Sequence, residues 1–265
     1  MPFRGYAATI WLADKSIEGD AASAELSYYL KRFDETLQLW RANVPTLEEY
    51  GEWTSAQAHA FVIRLLAPPA GTRLHSNYLR AYAVDPDILR ALGVRYIVTN
   101  VETLDAAAFR AAVTAPDTPG VHLFELAGAN LGTYSPTRFV KAAGADEIAN
   151  RIRDNRNHLD QVAVVAQDVP PTNAKARNVA ITVELDGVHI RAVSDGPAHI
   201  LLPVQFSHCL RVVNGSPARL TRANLIQTLV SFDGALDARL EFRFGLFADN
   251  KCRRRDGQDN KAFGL

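Results

Sequence analysis

The feature that most constrains this chain is an alternation of apolar and polar residues through its C-terminal third. Ile181, Val183 and Leu185 fall on one side, and Thr182, Glu184 and Asp186 on the other. Asp186-Gly187 then turns the chain into Val188, Ile190 and Ala192. From Leu236 to Phe244 the pattern is cleanest. Leu236, Ala238, Leu240, Phe242 and Phe244 alternate with Asp237, Arg239, Glu241 and Arg243. A period of two puts one set on a core and the other in water only if the backbone is extended, since a helix would scatter both sets around its axis. Turn signals interrupt the pattern at Asp195-Gly196-Pro197, Asn214-Gly215-Ser216-Pro217 and Asp233-Gly234. Strands at a spacing of roughly ten residues predict an antiparallel β-sandwich, jelly-roll-like, over Ile181–Phe244.

The preceding part has mixed periodicities. Tyr6 to Leu12 reads as a buried strand. Leu26, Tyr29, Leu30, Phe33, Leu37 and Trp40 recur at helical spacing, and Ala56 to Leu66 predicts a second helix. Asp85-Pro86 opens a short helix through Leu92, because Pro at the first helical position gives up no needed N–H. Gly93 ends it, and Val94 to Thr99 reads as a buried strand. Asp105 to Val113 predicts a helix, Val121 to Leu126 and Arg138 to Lys141 strands, Ala145 to Arg153 a helix, and Val162 to Val165 a strand. Val169-Pro170-Pro171-Thr172-Asn173 reads as a linker. The expectation is an α+β protein: an α/β domain with a small sheet over residues 1–168, then the β-sandwich over residues 175–265.

Charge narrows the function classes. Lys plus Arg and Asp plus Glu number 29 each, so no global basic excess favours a nucleic-acid partner. The basic run Lys251, Arg253, Arg254 and Arg255 reads as a solvated tail beside Asp256 and Asp259. No window reaches the ~18 apolar residues that span a bilayer. The first residues lack the order of a signal peptide, so a stand-alone chain would be cytoplasmic. No glycine-rich phosphate loop, zinc-protease motif or nucleophile elbow is present, and no cofactor or metal is expected. Cys209 and Cys252 are too few for a zinc site. In an oxidising compartment they would bridge, closing a loop worth ~3–4 kcal/mol; otherwise they are two idle thiols. His208 beside Cys209 does not make a dyad, since neighbours on a strand point to opposite faces.

The best ligand candidate is the loop Glu49-Tyr50-Gly51-Glu52-Trp53. Tyr50 and Trp53 offer faces on which a pyranose stacks, and Glu49 and Glu52 offer acceptors for its hydroxyls. The competing reading is a packed surface loop. His75, Asn77, Arg80 and Asp85 are candidates for the same pocket, with Arg80 suited to a phosphate; the competing reading is a structural loop.

Four stretches carry a resemblance: Pro2-Phe3-Arg4-Gly5-Tyr6-Ala7-Ala8-Thr9, Pro45 to Ser55, Leu89 to Thr99 and Asn130 to Thr137. Together they resemble the soluble C-terminal region of bacterial polytopic membrane proteins of the glycosyltransferase-C-like and YfhO-like group. The resemblance implies an extracytoplasmic region that follows a membrane-embedded helical bundle missing from this chain. It implies work in a lipid-linked sugar pathway of the cell envelope, with a glycan or lipid-linked sugar as partner. It assigns no catalytic residue here, because the acidic residue of that class usually sits on an early loop of the bundle. The expected function is a non-catalytic accessory or glycan-binding module. The alternatives are a sugar transferase or hydrolase with its site near Glu49–Trp53, and a structural protein-interaction domain.

Overall fold

The computed structural model describes residues 2–10, 12, 60–66, 73–75, 78–80, 83–104, 107–114, 120–184, 187–243 and 251–265. The architecture is α+β, with a small mixed sheet and a β-rich C-terminal unit. The chain divides into two compact units. One holds residues 5–54 and 62–129; the other holds residues 1–4, 55–61 and 130–265.

In the first unit, β1 (Tyr6–Ile10), β2 (Arg73–His75) and β3 (Tyr78–Arg80) precede helix α1 (Pro86–Ala91). They are followed by β4 (Val94–Thr99), β5 (Phe109–Thr114) and β6 (His122–Leu126). The sheet order is β1-β4-β6-β5, with β1 and β4 parallel and the other pairs antiparallel. Local chemistry sets the entry to β4. Asp85 Oδ1 accepts from the N–H groups of Asp87 at 2.9 Å and Ile88 at 3.3 Å, which satisfies the open end of α1. Gly93, at φ 79°, reverses the chain at the helix end, and its carbonyl accepts from Tyr6 N at 2.8 Å. Asn100 holds Leu12 from both sides, accepting from its N–H at 2.8 Å and donating to its carbonyl at 2.9 Å.

Where a helix is expected over 105–113, the described residues Phe109–Thr114 form a strand paired with β6. Alanines give this stretch good helix propensity. The edge of β6 offers it ladder bonds and a partner for Phe109, whose ring lies 6.4 Å from that of Phe124, edge to face. Tertiary context overrides propensity here.

In the second unit the strands are β7 (Arg138–Lys141), β8 (Val162–Val165), β9 (Arg177–Val183), β10 (Gly187–Gln205), β11 (Leu210–Gly215), β12 (Arg219–Ala223) and β13 (Gln227–Phe242). Helix α2 (Ala145–Asp154) joins β7 to β8, which run parallel, and helix α3 (Lys251–Phe263) follows the last strand. One sheet runs β7-β8-β12-β13-β10-β9, with β11 also on β13. Residues 130–168 therefore belong to the sheet of the C-terminal unit, and the expected linker at 169–173 runs inside it.

Two of the expected turns are not turns. Asp195-Gly196 lies within β10 and Asp233-Gly234 within β13, and the two sit opposite each other. The ladder passes from Val193↔Ala235 to Pro197↔Asp233, so three residues on β10 face Gly234 alone. This is a β-bulge, which kinks a strand without ending it. Gly196 at φ 152° and Gly234 at φ 67° take the backbone angles the kink requires. The Ser194 hydroxyl sits across it, 2.6 Å from the Gly196 carbonyl and 3.2 Å from that of Gly234.

The bulge separates two limbs with different surroundings. Val188, Ile190 and Ala192 of the first limb and Ala198, Ile200 and Leu202 of the second line one core with Val230, Phe232, Leu236, Ala238 and Leu240. The second limb is buried on its other face too, where Leu201 and Leu229 pack with Ala163, Val165 and Ala223. Hence Ile200, Leu201 and Leu202 are all fully buried, a run with no alternation. The first limb keeps its other face in water.

The segment Asn130–Thr137 lies along the side of β10 that β9 leaves unpaired. Leu201 N donates to the Tyr134 carbonyl at 2.9 Å, Asn130 Nδ2 to the Leu201 carbonyl at 2.8 Å, and Ser135 Oγ to the His199 carbonyl at 2.7 Å. Within this strap a Cβ on Gly132 would come within 2.3 Å of Ile181 Cδ1, so only glycine lets it lie so close.

Candidate functional site

The water-facing side of the first limb forms an open groove of about 670 Å³, lined by Glu184, His189, Asn214, Gly215, Ser216, Asp237 and Arg239. The odd-numbered positions of β10 and β13 supply His189, Asp237 and Arg239, all on the face away from the core. Gly215 sets the floor. A Cβ there would meet the Asp237 carbonyl oxygen at 1.9 Å, so glycine permits β11 to close on β13. Ser216 N donates to the same carbonyl at 2.7 Å, and Asp237 N donates to Ser216 Oγ at 3.1 Å.

The charges are arranged in pairs. His189 Nε2 lies 2.6 Å from Asp237 Oδ1, and Arg239 Nε lies 2.7 Å from Glu184 Oε2 and 3.3 Å from Glu241 Oε1. These groups present alternating donors and acceptors across a shallow surface. Ser216 Oγ is engaged by the Asp237 amide, and among the described residues no hydrogen bond links it to His189. The groove therefore exposes hydrogen-bonding groups of both kinds, with Ser216 Oγ held by backbone.

A second polar cluster holds α3 to the sheet. Cys252, Asp256, Asp259 and Phe263 recur at helical spacing and make the inward face. Cys252 is bonded to Cys209, with Cα atoms 5.0 Å apart. Asp256 accepts from Ser207 Oγ at 2.6 Å and from His208 N at 2.9 Å. Asp259 Oδ2 lies 2.9 Å from His208 Nε2 and 3.1 Å from the Arg222 guanidinium. Arg222 is 7% exposed and lies between the rings of Phe206 and Phe263, each 5.1 Å away. Burial pulls its pKa below the usual arginine value, while Asp259 and Asp256 oppose that shift. The basic run expected as a solvated tail is thus part of a docked helix. A cavity of about 210 Å³ lies beside Arg222, yet all three guanidinium nitrogens are sealed from water and directed at no acceptor. The ion pair with Asp259 is close in distance and poor in angle, so the cluster is a helix anchor and not an open anion pocket.

Of the residues singled out from sequence, Glu49, Tyr50, Glu52, Trp53 and Asn77 lie outside the described residues. His75 and Arg80 stand on the two-stranded ladder of β2 and β3, paired with Tyr78 and Arg73, two rungs apart. Asp85 caps α1. The groove residues escaped sequence reasoning because each is an ordinary outward position on a strand or, for Glu184 and Ser216, just past a strand's end. The only signal was a histidine, an aspartate and an arginine on neighbouring water-facing sites.

No family model, no curated protein and no solved structure matches this chain. Among the described residues no helix is long and apolar enough to cross a membrane.

Proposed function

We propose that this chain is a non-catalytic, extracytoplasmic glycan-binding module that serves a membrane-embedded sugar-transfer machine of the cell envelope. The observation that carries the reading is the groove on the first limb. A carbohydrate presents closely spaced hydroxyls, each donor and acceptor at once. A surface of paired carboxylate, imidazole, amide and guanidinium groups meets them with fixed partners of both kinds. The groove is open and its polar groups are already paired, so the binding expected is weak, about −4 to −5 kcal/mol, or roughly millimolar. The Cys209–Cys252 bridge supports the compartment, since disulfides persist outside the reducing cytoplasm.

The test is a titration of the labelled protein with neutral envelope-type oligosaccharides, followed by amide chemical shifts. Shifts should cluster on 184, 189, 214–216 and 237–239 and vanish in His189→Ala with Arg239→Ala. Shifts elsewhere, with the double variant unaffected, would place any glycan away from the groove. A saturating panel with no shifts at all would reject the groove as a site for neutral glycans.

A further inference from the structure

The only acidic residues on α3, Asp256 and Asp259, both turn inward to Ser207, His208 and Arg222. The outer side is left without a carboxylate of the helix: its charged residues are all cations. On a helical wheel Arg254 and Lys261 stand opposite the anchoring face with Gly257 and Gln258 beside them, Lys251 and Arg253 stand at the sides, and Arg255 borders the anchoring face; all five cations are exposed. Among the described residues no carboxylate pairs with Arg254, Arg255 or Lys261. A chain with balanced total charge therefore concentrates positive charge along one helix of ~20 Å. That helix is held rigidly by a disulfide at its first turn and by carboxylates further along.

We infer that the outer face of α3 is a docking surface for an acidic polysaccharide. The inference rests on the glycan-binding reading and names the class of glycan. Charge complementarity selects a polyanion. Arg254 at the centre of this face favours carboxylate or phosphate groups on it, because the planar guanidinium donates two parallel hydrogen bonds to either. The face carries no large apolar side chain to enter a lipid interface: Phe263, the one aromatic of α3, stacks inward on Arg222. Asp256 and Asp259 have a second role in this arrangement. By pairing inward they remove from the outer face the only carboxylates on the helix that would neutralise it.

The experiment uses the full chain, with polygalacturonate as the acidic probe, a neutral dextran as control, and vesicles of mixed neutral and anionic phospholipid as a third arm. The protein should bind polygalacturonate in low salt and release it as salt screens the charges. Arg254→Glu with Lys261→Glu should weaken that binding about tenfold or more, with an unchanged thermal midpoint. Binding that survives the charge reversal would overturn the inference, as would retention by anionic vesicles without binding to polygalacturonate. The groove variant His189→Ala with Arg239→Ala separates the two readings. If it loses neutral-oligosaccharide shifts and keeps polygalacturonate binding, both sites stand. If neutral glycans never bind while polygalacturonate does so through α3, the groove reading fails and this one remains.

Discussion

The disulfide between Cys209 and Cys252 gives the sharpest quantitative expectation. The two cysteines are 43 residues apart, and the bridge ties α3 to the turn before β11. In the chain-entropy description, closing a loop of that length removes about 13 cal/mol/K from the unfolded ensemble, or about 4 kcal/mol at about 25 °C. For a folding unit of this size each kcal/mol moves the midpoint by roughly 2–4 °C, so Cys209→Ser with Cys252→Ser should lower it by about 10 °C. The remaining polar contacts of Asp256 and Asp259 cannot replace a covalent link, so the helix should also open more often. Trypsin would then cut after Arg253, Arg254 and Arg255 well before it cuts elsewhere in the sheet, since cleavage follows the population of the open form. The assays are thermal unfolding with and without reductant, thiol titration of the native protein, and timed proteolysis read by mass. Two titratable thiols in the unreduced protein would remove the premise. Two thiols appearing on reduction with no fall in midpoint would refute the reasoning, because α3 would then be held by its polar contacts alone.

Three further perturbations test other parts of the structure. Asp259→Asn leaves the nearly buried Arg222 with only Asp256 at 3.8 Å, and should cost about 2 kcal/mol, less than a fully buried pair because Asp259 is partly exposed; urea unfolding in a cycle with Arg222→Met should show the two sites coupled. Gly215→Ala must drive a Cβ into the Asp237 carbonyl and should cost at least ~2 kcal/mol, whereas Gly234→Ala meets nothing within 4 Å and should cost only about 1 kcal/mol from its positive φ; matched denaturation curves would show whether that order holds. His199 is buried, donates from Nε2 to the Pro170 carbonyl and has Nδ1 2.9 Å from Ser231 Oγ, and burial holds its pKa below the ordinary value, which favours the neutral ring. Its contribution is complete above the unfolded value of about 6.5 and is lost as pH falls through the lower folded value, so the protein should weaken in mild acid and His199→Gln should flatten that dependence in urea midpoints.

Much of the fold was legible because the alternation was. Leu236, Ala238 and Leu240 are buried where the pattern placed them, and Pro86, Gly93 and Val94–Thr99 form the helix-to-strand unit that their chemistry dictates. The misreadings have a common cause. Asp195-Gly196 and Asp233-Gly234 have the composition of hairpin turns, and only the pairing of β10 with β13 reveals that they oppose each other and make one kink. Phe109–Thr114 was hidden by alanines, which suit a helix until a strand edge is offered. The basic run from Lys251 to Arg255 read as a solvated tail because the inward face of its helix is made of a cysteine, two aspartates and one phenylalanine, and so lacks the apolar stripe by which helices are recognised. The groove was the least legible of all. Its residues are individually unremarkable surface positions, and it exists only where four strands bring them together.

The strap from Asn130 to Thr137 has a consequence for how the protein behaves in company. The second limb of β10 carries fully buried Ile200, Leu201 and Leu202, and its outer backbone would otherwise be an apolar edge open to another copy's strand. Asn130, Tyr134 and Ser135 occupy that edge at Leu201 and His199, and they do so with side-chain amide and hydroxyl groups as well as backbone. The strap thus acts as a guard against self-association. Asn130→Leu would lift it from the Leu201 carbonyl, and the damage would appear first as concentration-dependent aggregation during refolding, before any loss of ligand binding.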